Sequence, residues 1–199
     1  MKKLLFAGLL GLSVLSAPAF SEERIMSVQH LENGNSYFRI SIQDGGLLNG
    51  NYAGWCADWS GLIEDNVPYV FNFYSSLSEN FPDGLIDHPE NLDEMNWVLN
   101  QDFVGKNAGG GLGLYTSGDV QLALWTLLDN NFDASSVGPF SQLRVDKIVS
   151  LALKYGSGFT PTCKQEVGII LDPGTPQSTI IEIKRSHFYK CVVPDSGEQ

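Results

Sequence analysis

The sequence predicts a mainly β, α+β domain in which a helical segment is inserted between two groups of strands. Between residues 35 and 74, and again after residue 165, the chain alternates polar and apolar residues or runs apolar in short stretches bounded by turns. Both patterns are typical of strands. Between residues 92 and 155 the apolar residues instead recur three or four positions apart, as they do in amphipathic helices.

The first group contains three predicted strands. Residues 35–43 alternate strictly, which predicts a strand with one buried face. Residues 53–59 are short and extended, and residues 67–74 are rich in Val, Phe and Tyr, which favour strands. Residues 78–91 contain prolines and an Asp-Gly pair, so we expect a loop there.

Three helices are predicted to follow. The first covers residues 92–100, and the second runs from about residue 118 to 129 after Thr116 or Ser117 as its N-cap. The third is expected to open at Pro139 and to end near Tyr155, before a glycine. The helical part is therefore expected to lie between the two groups of strands.

The C-terminal part predicts three more strands and a disulfide. The strands are expected at residues 166–171, 179–184 and 188–193. Cys163 lies just before the first of them, and Cys191 lies within the third. Three strands folded back on each other bring these two positions together, so we predict a Cys163–Cys191 disulfide.

The N-terminus has the pattern of a secretory signal peptide. Two lysines precede an apolar run that is too short to cross a bilayer, and Ala17-Pro18-Ala19 then offers a small-x-small cleavage site. We expect cleavage after Ala19, and cleavage after Ser21 also fits. Residues 1–19 are therefore predicted to be a signal peptide and residues 20–199 a single domain that is secreted or otherwise extracytoplasmic, in the periplasm or at the cell surface.

Composition excludes several partners. The chain carries 23 acidic and 12 basic residues, a net charge of −11, which repels nucleic acid and anionic membranes. No second apolar stretch predicts membrane insertion. The glycine-rich residues 105–113 lack the Gly-Lys-Ser/Thr of a phosphate loop, and residues 87–94 lack the spacing of a calcium loop. We therefore expect neither a cofactor nor a metal.

Cys56 is the cysteine left over from the predicted disulfide, and an odd cysteine in a secreted protein marks a candidate site. Trp55-Cys56-Ala57-Asp58 reads aromatic-Cys-apolar-polar, and a later segment, residues 120–124, reads apolar-Gln-x-x-apolar around Gln121. The two segments together resemble the thioester domains of bacterial surface proteins. In that family a cysteine sulfur and a glutamine side-chain carbonyl condense, with loss of ammonia, into an internal thioester.

The resemblance implies a function and a fold. Cys56 would supply the sulfur and Gln121 the acyl group, with Trp55, Asp58 and Trp125 in supporting roles. The fold would be a β-sandwich or barrel with a small inserted helical part. The thioester would capture an amine on a protein or other surface ligand, as a means of adhesion, in a single-use covalent step and not in enzymatic turnover.

Two other functions fit the same residues. A lone cysteine is often a buried core residue, so the chain also fits a non-covalent secreted binding or structural module with an inert Cys56. A cysteine-nucleophile hydrolase would need a histidine beside Cys56, and the choices are His30, His88 and His187. No flanking sequence marks any of the three, so this function ranks last.

Overall fold

The computed structural model describes residues 24–31, 34–59, 61–129 and 131–191. The predicted signal peptide and both predicted cleavage positions lie outside these residues. The strands are β1 Ile25–His30, β2 Phe38–Gln43, β3 Gly50–Cys56, β4 Tyr69–Val70, β5 Asn72–Ser75, β6 Glu166–Asp172 and β7 Thr179–Lys184. The helices are α1 Leu92–Leu99, α2 Ser117–Leu128, α3 Gln142–Tyr155 and α4 Arg185–Phe188, and 3₁₀ turns lie at Gly46–Leu48, Pro89–Asn91 and Ala134–Ser136.

The strands form one antiparallel sheet in the order β4-β1-β2-β3-β7-β6-β5. The two strands at the ends of this order, β4 and β5, are separated along the chain only by Phe71. The chain therefore passes directly from one edge of the sheet to the other, and the sheet comes close to closing as a barrel. The predicted mainly β fold with an inserted helical part is confirmed.

Apolar residues on one face of the strands fill the inside of this sheet. In β2, Phe38, Ile40 and Ile42 are buried while the residues between them are more exposed. The same buried face continues on the neighbouring strands. Buried residues lie opposite each other in the pairs Val28–Ile40, Met26–Ile42, Ile169–Ile181 and Val167–Ile183. Gly54 lies opposite Phe38, and a Cβ there would meet Ile40 Cδ1 at 2.4 Å, so the interior is packed tightly along β3.

The helices cover the other face. Gly168 of β6 lies so close to α1 that an added Cβ would meet Met95 Cε at 2.5 Å. Asn96 of α1 accepts hydrogen bonds through Oδ1 from Gly168 N and from Ser76 Oγ, both at 2.9 Å. Helices α2 and α3 pack against each other and against α1. Among the residues that the structure describes, no helix has both the length and the apolar character needed to cross a bilayer.

Most predicted elements are confirmed, with four corrections. The predicted strand 67–74 is two strands, because Phe71 turns its N–H to Arg24 O instead of continuing one ladder. The third helix begins at Gln142, after Ser141, and not at Pro139. Strand β1 was not predicted at all, although its Met26 and Val28 alternate as buried residues.

The last predicted strand, residues 188–193, is wrong as far as it is described. Residues 185–188 form the short helix α4, and Tyr189 N–H bonds back to Arg185 O. The disulfide prediction is nevertheless confirmed, since Cys163 and Cys191 are bonded with their Cα atoms 5.8 Å apart. The bridge ties the segment before β6 to the segment that follows α4.

Candidate functional site

Cys56 is the last residue of β3, at a point where the neighbouring strand has already ended. Tyr37 N–H donates to Gly54 O at 3.1 Å, and the pairing of β2 with β3 ends at this bond. Backbone groups two residues apart along a strand face the same edge, so the N–H and C=O of Cys56 face the position that β2 would fill if it were longer. The open edge at Cys56 is buried, since the residue is 2% exposed.

The side-chain amide of Gln121 fills this position. Cys56 N–H donates to Gln121 Oε1 at 2.8 Å, and Gln121 Nε2 donates to Cys56 O at 3.0 Å. The amide thus pairs with the backbone of β3 as a strand residue would, and Gln121 is fully buried. The two residues proposed from sequence for a thioester are therefore in direct contact.

The N-terminus of α2 is fixed in place by a capping box. Thr116 Oγ1 accepts from Asp119 N at 3.2 Å, and Asp119 Oδ2 accepts from Thr116 N at 2.7 Å, which confirms Thr116 as the N-cap. Asp119 is fully buried and also accepts from Ser141 N at 2.7 Å and from Arg144 Nε at 2.5 Å. One carboxylate therefore joins the start of α2 to the start of α3.

Gln121 and Trp125 lie one turn apart on the same face of α2. While Gln121 binds Cys56, Trp125 Nε1 donates to Asp58 O at 3.2 Å. Trp125 is 2% exposed, and its ring stacks on Phe132 at 5.7 Å between centroids. Helix α2 therefore holds the end of β3 through Gln121 and the residue two positions after it through Trp125.

Asp58 joins the site to the segment before β7. Its Oδ2 accepts from Ser178 N at 3.0 Å, while Ala57 N donates to Ser178 O at 2.9 Å. Gln177 Nε2 donates to Asp58 O in addition to Trp125. The carboxylate thus orients the chain after Cys56.

Trp55 lies on the face of β3 opposite to Cys56, towards the helices. It is 3% exposed, and its Nε1 donates to Glu182 Oε1 at 2.6 Å. Glu182 was not among the residues proposed from sequence. Its signal is a single carboxylate inside the apolar run Thr179–Lys184 of β7, where a charged residue needs an explanation.

Burial dominates the electrostatics of the cysteine. It raises the pKa of the Cys56 thiol well above its usual range, and the negative charge of Asp58 raises that pKa further. The pKa of Tyr37 is raised as well, first by burial and then by its proximity to Cys56. Cys56 is therefore a protonated thiol at neutral pH, unlike the activated thiolate of a cysteine hydrolase.

The histidines are all engaged away from Cys56. His30 Nδ1 lies 2.5 Å from Asp65 Oδ1, His88 Nδ1 lies 2.9 Å from Glu90 Oε1, and His187 Nε2 lies 3.0 Å from Leu47 O. Within the described ranges, no three His, Cys, Asp or Glu side chains converge as metal ligands would.

The glycine-rich segment, residues 105–113, forms a small hairpin, in which Ala108 N donates to Gly113 O at 2.8 Å.

Neither a protein-family model nor any curated protein matches the sequence. Solved structures do match. The fold is similar to that of an adhesin domain. This is the N-terminal domain of the pilus tip adhesin Cpa from Streptococcus pyogenes, which superimposes with a TM-score of 0.50 at 11% identity over 84% of this chain and 97% of that one.

Two further structures match with lower scores. The N-terminal thioester domain of the fibronectin-binding protein SfbI from Streptococcus pyogenes has a TM-score of 0.41 at 9% identity, over 83% of this chain and 95% of that one. The N-terminal thioester domain of a surface protein from Clostridium perfringens has a TM-score of 0.45 at 13% identity, over 81% and 99%. The resemblance predicted from sequence is confirmed, and at these identities it concerns the fold.

Proposed function

We propose that this chain is an exported adhesion domain that forms an internal thioester between Cys56 and Gln121 and uses it to capture an amine on a target surface. The observation that carries the proposal is the paired contact of the Gln121 amide with the Cys56 backbone, at 2.8 and 3.0 Å, in a buried site. A buried glutamine that reaches its cysteine through both amide atoms has few alternative positions.

The contact favours the condensation in two ways. It lowers the entropic cost of bringing the Gln121 amide and the Cys56 thiol together, and this cost can account for a large part of an activation barrier. Cys56 N–H also donates to Gln121 Oε1, the oxygen that becomes negative when the sulfur attacks the carbonyl carbon. The C–S bond forms as the C–N bond breaks, and the thiol proton leaves with the amide nitrogen as ammonia.

Helix α2 does not supply the donor to this oxygen. Gln121 is the fifth residue of α2, beyond the first turn in which helical N–H groups are free. The stabilising N–H therefore comes from β3 and not from the helix. In this arrangement a strand edge serves as the oxyanion donor.

Burial supports the persistence of a thioester. Hydrolysis would need water at Cys56 and Gln121, which are 2% and 0% exposed, and would leave a carboxylate at position 121 in a site that disfavours charge. A thioester carries no charge, so the burial that raises the pKa of the Cys56 thiol imposes no such penalty on it. Trp125 contributes to this exclusion of water.

An amine is the expected target because amines attack thioesters readily and leave a stable amide. Capture would join Gln121 to the amine and free the Cys56 thiol, once per molecule. Adhesion is proposed because the fold matches a domain of a pilus tip adhesin. Export is proposed from the N-terminal signal pattern, and the Cys163–Cys191 disulfide fits an oxidising compartment.

The intact mass of the purified protein tests the proposal. We expect a deficit of one ammonia, beyond the hydrogens lost to the disulfide, and we expect methylamine to replace it with one adduct. Cys56→Ala removes the sulfur, and Gln121→Glu keeps the shape but removes the amine leaving group, so neither variant should show the deficit or the adduct. A wild-type mass without the deficit, with one alkylatable thiol and an intact glutamine at position 121, contradicts the proposal.

The same contact also favours a second function. An amide that pairs with a strand edge stabilises the fold without any chemistry, so a non-covalent binding module with an inert Cys56 fits the pair of hydrogen bonds as well. The contradicting result above is the result that this second function predicts.

A further inference from the structure

A cavity of about 300 Å³ lies between the sheet and the helical layer, where residues of β3, β7, α1 and α2 line it. Trp55 and Val120 both line it, and these are the residues that immediately precede Cys56 and Gln121. The two chain segments that carry the reactive residues therefore form part of its wall. Its size suits a side chain and not a large ligand.

The lining combines an apolar wall with a carboxylate. Val98, Leu99, Phe103 and Val104 supply apolar and aromatic surface. Glu182 lies opposite Gly168, on the sheet face that α1 covers, and its Oε1 is fixed by Trp55 Nε1 at 2.6 Å. An alkyl chain ending in a cation matches these surfaces, because a carboxylate and an indole face both attract an ammonium group.

We propose that this cavity receives the alkyl stem and ammonium group of a primary amine, such as a lysine side chain, and that Glu182 accepts the proton that the amine must lose before it attacks the thioester. The inference rests on the proposed function, since it assigns an amine site to that thioester. It adds a selectivity, for amines with an apolar stem, and a proton acceptor that the Cys56–Gln121 pair itself lacks.

Glu182 is the one added group that the protons of this step require. The ammonium transfers a proton to the Glu182 carboxylate, and the neutral nitrogen attacks the Gln121 carbonyl carbon. A C–N bond forms, the C–S bond breaks, and the sulfur leaves as the Cys56 thiolate, which takes the second proton from the nitrogen. The products are an amide at Gln121, a Cys56 thiol and a protonated Glu182, which returns its proton to water.

The surroundings of Glu182 suit this role near neutral pH. Burial raises its pKa to about 7; the Trp55 hydrogen bond opposes the rise, the charges of Glu166 and Asp102 add to it, and Lys184 opposes it. A carboxylate with a pKa near the working pH is both available as a base and able to keep a proton. An ordinary exposed glutamate would be a much weaker proton acceptor.

Two nucleophiles separate this role from a structural one. Butylamine carries an alkyl stem and must lose a proton, whereas hydroxylamine is small and mostly unprotonated at pH 7. We expect Glu182→Gln to form the thioester normally, because a Gln oxygen also accepts from Trp55, and to capture butylamine about tenfold more slowly or worse. Its rate with hydroxylamine should stay close to that of the wild type, and the ratio of wild-type to variant butylamine rates should rise as pH increases through about 7.

Glu90→Gln is the matched control, because Glu90 is exposed, pairs with His88 and does not line the cavity. It should keep the butylamine rate. Asp102→Asn is a second variant in the cavity wall and should slow butylamine by a smaller factor, so the proposal stays testable if Glu182→Gln folds poorly. Unchanged butylamine capture by both cavity variants, or an equal loss with both nucleophiles, overturns the proposal. A wild-type protein with no ammonia deficit overturns the proposed function, and this inference with it.

Discussion

Gln121 occupies the hydrogen-bonding position beside Cys56 that strand β2 leaves open. Its amide accepts from Cys56 N–H and donates to Cys56 O, so a helix side chain completes the ladder of β3. The register between α2 and β3 is therefore the quantity on which the site depends. Changes that move the start of α2 should affect the site even when they lie outside it.

Gly118 sets how closely α2 approaches the loop before α3. A Cβ at this position would meet Pro139 O at 2.7 Å, a backbone atom that cannot move aside cheaply. We expect Gly118→Ala to lower the free energy of unfolding by about 1–3 kcal/mol and to reduce the fraction of molecules with the ammonia deficit. Gly138→Ala is the control, because a Cβ there meets nothing within 4 Å. Equal behaviour of the two variants in urea unfolding and in intact mass would contradict this.

The Asp119–Arg144 pair should contribute more to the free energy of unfolding than an exposed ion pair does. The Asp119 side chain is fully buried and that of Arg144 is 15% exposed, so Arg144→Met leaves a buried charge with only hydrogen bonds from Thr116 N and Ser141 N. We expect a loss of about 3 kcal/mol in urea unfolding. Lys184→Met breaks the more exposed pair with Glu166 and should cost less than about 1 kcal/mol. A loss of similar size in both variants would argue against the structural role of Asp119.

The disulfide should stabilise the fold without taking part in the chemistry. Cys163 and Cys191 are 28 residues apart, and closing a loop of that length constrains the unfolded chain by about 3–4 kcal/mol. We expect the double variant Cys163→Ser, Cys191→Ser to lose stability of this order in urea unfolding and still to show the ammonia deficit below its midpoint. Loss of the deficit in a folded double variant would contradict the independence of the two features.

Glu94 gives stability a dependence on pH. Burial raises its pKa from 4.5 to about 7, with help from Asp93, and its Oε2 has no hydrogen-bond partner among the described residues. The folded state therefore holds more protons than the unfolded chain between these values, and the free energy of unfolding falls as pH rises from about 4.5 to about 7. We expect Glu94→Gln to remove about 3 kcal/mol of this fall. A wild-type curve that is no steeper than the variant's in this range would rule the effect out.

Local patterns were enough to predict the central part of the fold. Helices α1 and α2 and strands β6 and β7 were found from periodicity and caps, because these features depend on neighbours along the chain. The pairing of Cys56 with Gln121 came from a family resemblance, and the disulfide came from the order of the strands. The structure contains both the Cys56–Gln121 contact and the Cys163–Cys191 disulfide.

Features that depend on long-range packing were missed. Near-closure of the sheet depends on Phe71 separating two short strands that pair at opposite edges, which no local pattern in residues 67–74 reveals. The prediction of a third C-terminal strand was wrong. Phe188 and Tyr189 pack against the core from the end of α4 and the residue after it, so their apolar character does not indicate a strand. The Trp55–Glu182 contact spans 127 residues and was not visible either.

The most direct test of the thioester is to find its bond. Peptic digestion at acid pH, where thioesters survive and amines are protonated, followed by tandem mass spectrometry, reports which residues are joined. We expect one cross-linked pair of peptides, containing Cys56 and Gln121, that is lighter than their sum by one ammonia. Separate peptides, with an alkylatable Cys56 and an intact Gln121 amide, would contradict it.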